Sequence, residues 1–401
     1  MRFLTAGESH GEALVAILEG IPAGLAIDFD AVTAQLHRRQ GGYGRGRRRA
    51  IESDRARALG GIRRGMTTGA PIALLVPNRD WENWQKTMHV ESGMPPDATG
   101  ADRPAVTRPR PGHADLAGAV KYRHDDIRDV LERASARETA ARVAVGAVAR
   151  QLLALVGAEL GSHVFSIGAA ALADPLEVTF AQVRALADDA PLHCVDPDVE
   201  RQMIAQIDAA RDAGDTMGGG FEVIVHGAPP GLGSYAQWDR KLDGRLAQAL
   251  MSIPAIKSVG IGMGAAVAAT PGSRVHDEIL TAADPAAAPA GVVRPTNHAG
   301  GLEGGVTNGE DLRVSAFMKP IATLMRPLRS VDLATMAESP AAIERSDVCA
   351  VPAAAVVGEA MVAIVLADAL LEKFGGDTTV ELERACRAFR ADVAARFDRR
   401  R

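Results

Sequence analysis

Gly7-Glu8-Ser9-His10-Gly11 is a Ser–His pair set between two glycines, and its two readings imply different folds. Letter for letter it fits G-x-S-x-G, the nucleophile elbow on the strand-to-helix turn of an α/β-hydrolase. It fits equally a glycine loop that offers an imidazole to a bound substrate. The elbow needs several strands ahead of it, one of whose loops supplies the oxyanion hole. Eight residues precede Ser9, and no histidine partner is marked downstream. An α/β-hydrolase is therefore not expected.

Outward from this loop, the pattern is a mixture of strands and helices. Apolar, β-branched runs predict strands at residues 14–18, 72–76, 221–226, 256–261 and 312–317. A helix is expected over 135–155, opened by Ser135 with Glu138 three residues on, the spacing of a capping box. Others are expected from 196 or 198 to 213, over 239–251, and from Pro352 to Gly375. The spacing is not a regular βαβ repeat, which argues against a doubly wound sheet. Gly260-Ile261-Gly262-Met263-Gly264-Ala265 fits G-x-G-x-x-A, but Pro271-Gly272 follow too soon for a helix. It reads as a glycine-rich strand end. Residues 92–106 and 282–292 read as irregular loops.

The chain has 401 residues, 47% apolar and 24% charged, an ordinary globular balance. Only 4% are aromatic, so Ala, Val, Leu and Ile must build the core. A net charge of −5 argues against a nucleic-acid partner. Cys194, Cys349 and Cys386 are scattered without a C-x-x-C pair, and no Cys/His cluster or H-E-x-x-H suggests a metal. The first residues lack the apolar core of a secretory signal. The most apolar stretch, 356–371, is broken by Glu359 and Asp368 and is short for a bilayer. A cytoplasmic protein without a membrane partner is expected.

The polar residues point to anions. Arg38, Arg39, Arg45, Arg47, Arg48 and Arg49 alternate with Gly41, Gly42, Gly44 and Gly46. Arginine pairs bidentately with carboxylate or phosphate, and glycine lets the backbone approach. The plain alternative is a solvated surface loop. Arg108-Pro109-Arg110-Pro111-Gly112-His113-Ala114-Asp115 is stiffened by proline, with Asp115 near enough in sequence to orient the imidazole. Arg133-Ala134-Ser135 opens a helix, whose N–H groups suit a phosphate; Ser135 can equally be a plain N-cap. Glycine-dense 297–305, then 319–323 and 345–349, complete the set. Together they suggest an enzyme acting on a phosphorylated, carboxylated small molecule with histidines moving protons.

These segments, in this order, resemble the chorismate synthase family from residue 1 to about 375. Six motifs carry the resemblance: Gly7–Gly11, Gly42–Gly46, Arg110–Asp115, Arg133–Thr139, Asn297–Gly305 and Arg345–Pro352. The resemblance implies a carbon–oxygen lyase acting on 5-enolpyruvylshikimate 3-phosphate. The reaction is a 1,4-anti elimination of phosphate to chorismate, the last common step of the shikimate pathway, and it uses reduced FMN. It implies an α+β fold, a single-domain β-α-β sandwich with helices flanked by sheets over residues 1–401, and a homotetramer. Residues 376–401 are expected to be a C-terminal helical extension.

By the same resemblance, His10 neutralises the departing phosphate and His113 protonates or balances charge on the flavin. Asp347 assists proton removal, with Ser9 and Ser135 beside these groups. Arg39, Arg45, Arg48 and Arg110 hold the substrate's anions. The flavin is contacted by Arg133, Ala134, Ser135, Pro254, Ala255, Gly304, Lys319, Pro320, Ile321, Ala322, Thr323 and Arg345. NADPH, where used, falls on Arg39 and Arg45. Two positions depart from the family: Pro254 replaces a usual Asn or Gln, and Met263 a common Asp.

Overall fold

The computed structural model describes residues 1–46, 54–283, 289–344 and 347–397. Strict alternation builds its first sheet from β1 (Arg2–Ala6), β2 (Ala13–Glu19), β3 (Arg57–Gly60) and β4 (Ile72–Pro77). The order is β1-β2-β4-β3, with every pairing antiparallel. Leu14, Ala16 and Leu18 of β2 lie opposite Val76, Leu74 and Ile72 of β4, and all six are buried. Because side chains alternate with period two, one face becomes continuous core and the other is left outside.

The second sheet comprises β5 (Glu159–Ile167), β6 (Ala170–Ala171), β7 (Gly219–His226), β8 (Ile256–Ile261) and β9 (Leu312–Met318). Its order is β8-β9-β7-β5-β6, again antiparallel. Central β7 is buried on both faces, so it does not alternate; its one buried charge, Glu222, is paired with His163 and Arg313.

The longer helices are α1 (Phe29–Gln40), α2 (Asp115–Tyr122), α3 (Thr139–Ala154), α4 (Pro197–Asp212), α5 (Leu242–Met251), α6 (Val351–Phe374) and α7 (Thr379–Phe397). Helix α3 packs on β2 and β4, α6 packs on β5 and β7, and α3 and α6 pack on each other. The result is sheet, helices, sheet: an α+β sandwich, as the resemblance implied. Small residues make the thin helical layer possible. A Cβ at Gly146 of α3 would sit 2.4 Å from Cβ of Ala360, so the two helices touch at backbone distance. This is how a core poor in aromatic residues fills its volume.

Among the described residues α6 is the one helix long and apolar enough to cross a membrane. Its most apolar window is 89% buried between α3 and the second sheet, as in a soluble core helix. The helix expected from Ser135 begins instead as a 3₁₀ turn, Ala136–Glu138. Ser135 caps it by accepting the Arg137 N–H, but the box does not close. Glu138 accepts from the Thr5 hydroxyl at 2.7 Å and from Arg142, fastening α3 to β1. Helix α4 starts as expected, with Asp196 accepting from the N–H groups of Asp198 and Val199. Helix α1 carried no expectation; Asp28 caps it through Asp30 and Ala31.

Candidate active site

The Gly7–Gly11 loop joins two antiparallel strands, so Ser9 does not stand on a strand-to-helix elbow. Gly7 has φ +101°, and a Cβ there would lie 2.3 Å from the Ala13 carbonyl oxygen. Only glycine makes this turn. Likewise a Cβ at Gly262 would lie 2.0 Å from the His298 carbonyl oxygen. Gly262 thus serves close packing against the 297–301 loop, while Gly260 leaves room for Ser315 and Gly264.

The loop opens into a cavity of about 1,420 Å³. Single-ligand sites run to roughly 1,000 Å³, so this one has room for two molecules. Ser9, His10, Arg39, Arg45, Arg110, His113, Ala134, Ser135, Pro254, Ala255, Lys319, Ile321, Ala322, Thr323 and Asp347 all line it. Segments more than 300 residues apart in sequence thus meet at one site. Three expected residues do not line it. Arg133 turns its guanidinium back to the carbonyls of Thr5 and Gly7, holding the His10 loop from behind. Pro320 sits between two lining neighbours. Gly304 lies on the hairpin of Leu302–Glu303 and Val306–Thr307, near Tyr235. Arg48 and Arg345 fall outside the described residues. Of the two departures, Pro254 lines the cavity, whereas Met263 does not.

The charges are arranged in clusters. Buried Asp115 accepts from Nε of Arg110 at 2.8 Å and from Nη2 at 3.1 Å. It also accepts from the Arg110 backbone N–H and from Nδ1 of His113 at 2.5 Å. Burial alone would raise the Asp115 carboxyl, but the bonds and charges of His113 and Arg110 outweigh it and hold it well below the usual range. With Nδ1 so engaged, Nε2 is the nitrogen His113 presents to the cavity. Arg110 also reaches the Thr323 hydroxyl at 3.0 Å, and Lys319 donates to the Gly112 carbonyl at 2.6 Å. The His113 loop is thereby tied to the 319–323 segment.

On the opposite wall Asp54 is shared by Arg39 at 2.9 Å and Arg137 at 2.5 Å. Burial, with Arg137 and Arg45 close by, lowers the Arg39 pKa, and Asp54 offsets part of this. Arg45 pairs with Asp347 at 2.6 Å, and Asp347 also accepts the Gly46 N–H at 2.7 Å. Six arginine and lysine side chains line the cavity, Arg39, Arg45, Arg103, Arg110, Arg137 and Lys319, against four carboxylates, Asp80, Glu132, Glu344 and Asp347. The surplus is positive inside a chain that is acidic overall, which is what a polyanionic ligand requires.

Among the lining residues to which the sequence reading gave no role are Trp84, Arg103, Glu132 and, inside the quoted Arg133–Thr139 motif, Arg137. Glu132 accepts from Nδ1 of His10 at 2.9 Å and from the His10 backbone N–H at 2.9 Å. Trp84 stacks on the His10 ring, with centroids 3.8 Å apart, and Arg103 lies 4.0 Å over the Trp84 ring. Glu132 stands one residue ahead of the motif quoted from Arg133. Trp84 is one of three tryptophans in the chain, and its place in a short loop was the available signal.

The sequence profile described as Chorismate synthase matches residues 1–371. The chorismate synthase of Desulforudis audaxviator is 56% identical over 382 residues, covering 95% of this chain and 95% of that protein. That of Moorella thermoacetica is 56% identical over 390 residues, covering 97% and 98%. A crystal structure of a chorismate synthase superposes with a TM-score of 0.77 at 41% identity and covers 98% of each chain. The chain therefore belongs to the chorismate synthase family, the carbon–oxygen lyases that make chorismate in the shikimate pathway of aromatic amino-acid biosynthesis.

Proposed function

We propose that this cavity carries out the 1,4-anti elimination of phosphate from 5-enolpyruvylshikimate 3-phosphate, with reduced FMN bound beside the substrate. The observation that carries the reading is the pairing of two imidazoles, each oriented by a buried carboxylate, with a surplus of arginine and lysine around one large cavity. The substrate brings a phosphate and two carboxylates, and Arg39, Arg45, Arg110 and, outside the described residues, Arg48 receive them. His10 gives its proton to the departing phosphate. Asp347, held by Arg45, draws the carbon-bound proton away. Ser9 and Ser135, whose hydroxyls are 3.2 Å apart, stand beside His10 as supporting donors.

The family implies a reduced flavin, and the residues present fit one. Ile253, Pro254, Ala255, Met318 and Ile321 give an apolar wall for a flat ring, and Lys319, without a carboxylate partner among the described residues, faces the same space. Ala134, Ser135 and residues 319–323 would hold the cofactor, with Arg133, Gly304 and Arg345 assigned by family likeness alone. Reduced FMN, when bound, supplies electron density to the substrate and regains it, leaving the reaction redox-neutral. His113 balances charge at the flavin edge through Nε2. Reduced flavin comes from outside the chain, and Arg39 and Arg45, where family likeness put NADPH, are given to the substrate's anions.

The chain works as one cytoplasmic domain assembled into a homotetramer. One main core runs from Leu14 to Cys386, with two small clusters beside it, which supports one domain. The outer face of the first sheet supports assembly: Leu4 and Ile17 lie opposite each other across β1 and β2, 62% and 40% exposed.

The test is chorismate formation from 5-enolpyruvylshikimate 3-phosphate, anaerobically with dithionite-reduced FMN and aerobically with FMN plus NADPH. Turnover is expected in the first arm only. No chorismate in either arm overturns the reaction, and turnover in the NADPH arm overturns the external source of reduced flavin.

A further inference from the structure

We infer that Glu132 is the positioning residue that makes His10 a one-directional proton donor. The inference rests on the role of His10 proposed above and adds the group that enforces it. Glu132 is 1% exposed. A carboxylate so buried must be paired or hydrogen-bonded. Its polar contacts converge on the His10 loop. The carboxylate accepts from Nδ1 of His10 at 2.9 and 3.0 Å, one distance to each oxygen, and from the His10 backbone N–H at 2.9 Å. Its own carbonyl accepts the Ser9 N–H at 3.0 Å. Among the described residues the one cation paired with it apart from His10 is Arg128, at 3.8 Å.

Two consequences follow from these bonds. The hydrogen on Nδ1 is committed to Glu132, because the nitrogen bonded to a carboxylate keeps its proton. The exchangeable proton is therefore the one on Nε2, the nitrogen left for the cavity. When the carbon–oxygen bond to phosphate breaks, its electron pair leaves with the phosphate. The Nε2 proton passes to a phosphate oxygen, and a neutral imidazole with its Nδ1–H still on Glu132 remains. Glu132 touches no reacting atom.

Trp84 completes the frame. His10 stacks on its ring at 3.8 Å between centroids, and the Arg103 guanidinium lies over the ring at 4.0 Å. Glu132 fixes the edge of the imidazole and Trp84 its plane. Neither residue is supplied by the His10 motif itself.

Glu132→Gln isolates the charge, since its one carbonyl oxygen can still accept from both His10 donors. Turnover would be measured with chemically reduced FMN under anaerobic conditions for wild type, His10→Ala, Glu132→Gln and the double variant. FMN affinity would be measured alongside as the test of an intact fold. The expected result is a fall in kcat of about 10- to 100-fold in Glu132→Gln, with KM and FMN affinity little changed. In the His10→Ala background the same substitution should cost less than about twofold, because a residue acting only through His10 has nothing left to position. An unchanged kcat in Glu132→Gln, or an equal loss in both backgrounds, overturns the positioning role. Full turnover in His10→Ala instead overturns the proton-donor reading on which it rests. Should the Gln variant bind no FMN, Glu132→Asp, which keeps the charge and draws the oxygens away from Nδ1, gives the same cycle.

Discussion

His10 and His113 present the same device built in two ways. Each gives Nδ1 to a buried carboxylate and leaves Nε2 for the cavity. For His113 the carboxylate is Asp115, two residues on, at the start of α2. For His10 it is Glu132, 122 residues away, and a tryptophan from a third segment adds a stacked face. The local version also grips a permanent cation, Arg110, in a bidentate pair. The distant version has a cation as well, Arg128, but at 3.8 Å and outside hydrogen-bond distance, so its bonds go to the histidine. One carboxylate is therefore part of the fold's ion pairing, and the other serves the imidazole.

The parallel is broken most severely by removing the imidazoles. His10→Ala and His113→Ala should each lower turnover with reduced FMN by about 10²–10⁴-fold, the range for a positioned proton donor. A near-normal rate in one variant alone would show that only the other histidine moves a proton. Removal of the carboxylates should separate the two versions. Asp115→Ala strands the buried Arg110 guanidinium and should lower unfolding free energy by about 3–5 kcal/mol. Glu132→Ala leaves the His10 backbone N–H unpaired and removes the looser 3.8 Å partner of Arg128, which keeps its bond to the Pro104 carbonyl, and should cost about 1–3 kcal/mol. Equal losses in urea unfolding would erase the distinction.

The Asp115 cluster also carries a pH signature. Its folded-state pKa lies below the ordinary 3.8, so its contribution to stability is present above that value. It is lost as pH falls from 3.8 through the lower folded-state value. Asp115→Asn should therefore flatten the acid limb of a stability–pH curve. An unchanged acid limb would place the dependence on other buried carboxylates, such as Glu359, whose pKa lies at about 2 against its burial because of Arg38 and Arg150.

The same contrast explains what could be read without a structure. Asp115 was legible as an orienting group because it lies on the same short, proline-stiffened segment as His113. Five strands and most long helices were legible because hydrophobic period is a local property, whereas β1, β3, β5 and α1 carried no expectation. Glu132 and Trp84 were not, because a buried acid and a loop tryptophan look ordinary until three segments converge. Gly304 is the opposite case: it lies on a hairpin beyond the cavity lining, so its assignment to the flavin rests on family likeness alone. Ser135 and Glu138 had the spacing of a capping box, yet Glu138 turned to Thr5 and Arg142. Tertiary partners took precedence over the local bond.

The smallest effect is the most informative about the His10 frame. Trp84 holds His10 by stacking and is itself anchored by its indole N–H to Asp80 at 3.0 Å. A ring against a cation at a partly exposed site is worth about 1 kcal/mol, or roughly fivefold. Trp84→Ala should therefore lower kcat about fivefold while the much larger loss from Glu132→Gln stands. Trp84→Phe, which restores an aromatic face but not the bond to Asp80, should recover most of it. If Phe recovers nothing, the Asp80 bond rather than the stacked face supports His10, and the plane of the imidazole is set by the loop's backbone. If Trp84→Ala instead matches Glu132→Gln, stacking and hydrogen bonding act as one unit, and the distant version of the device has two indispensable parts where the local version has one.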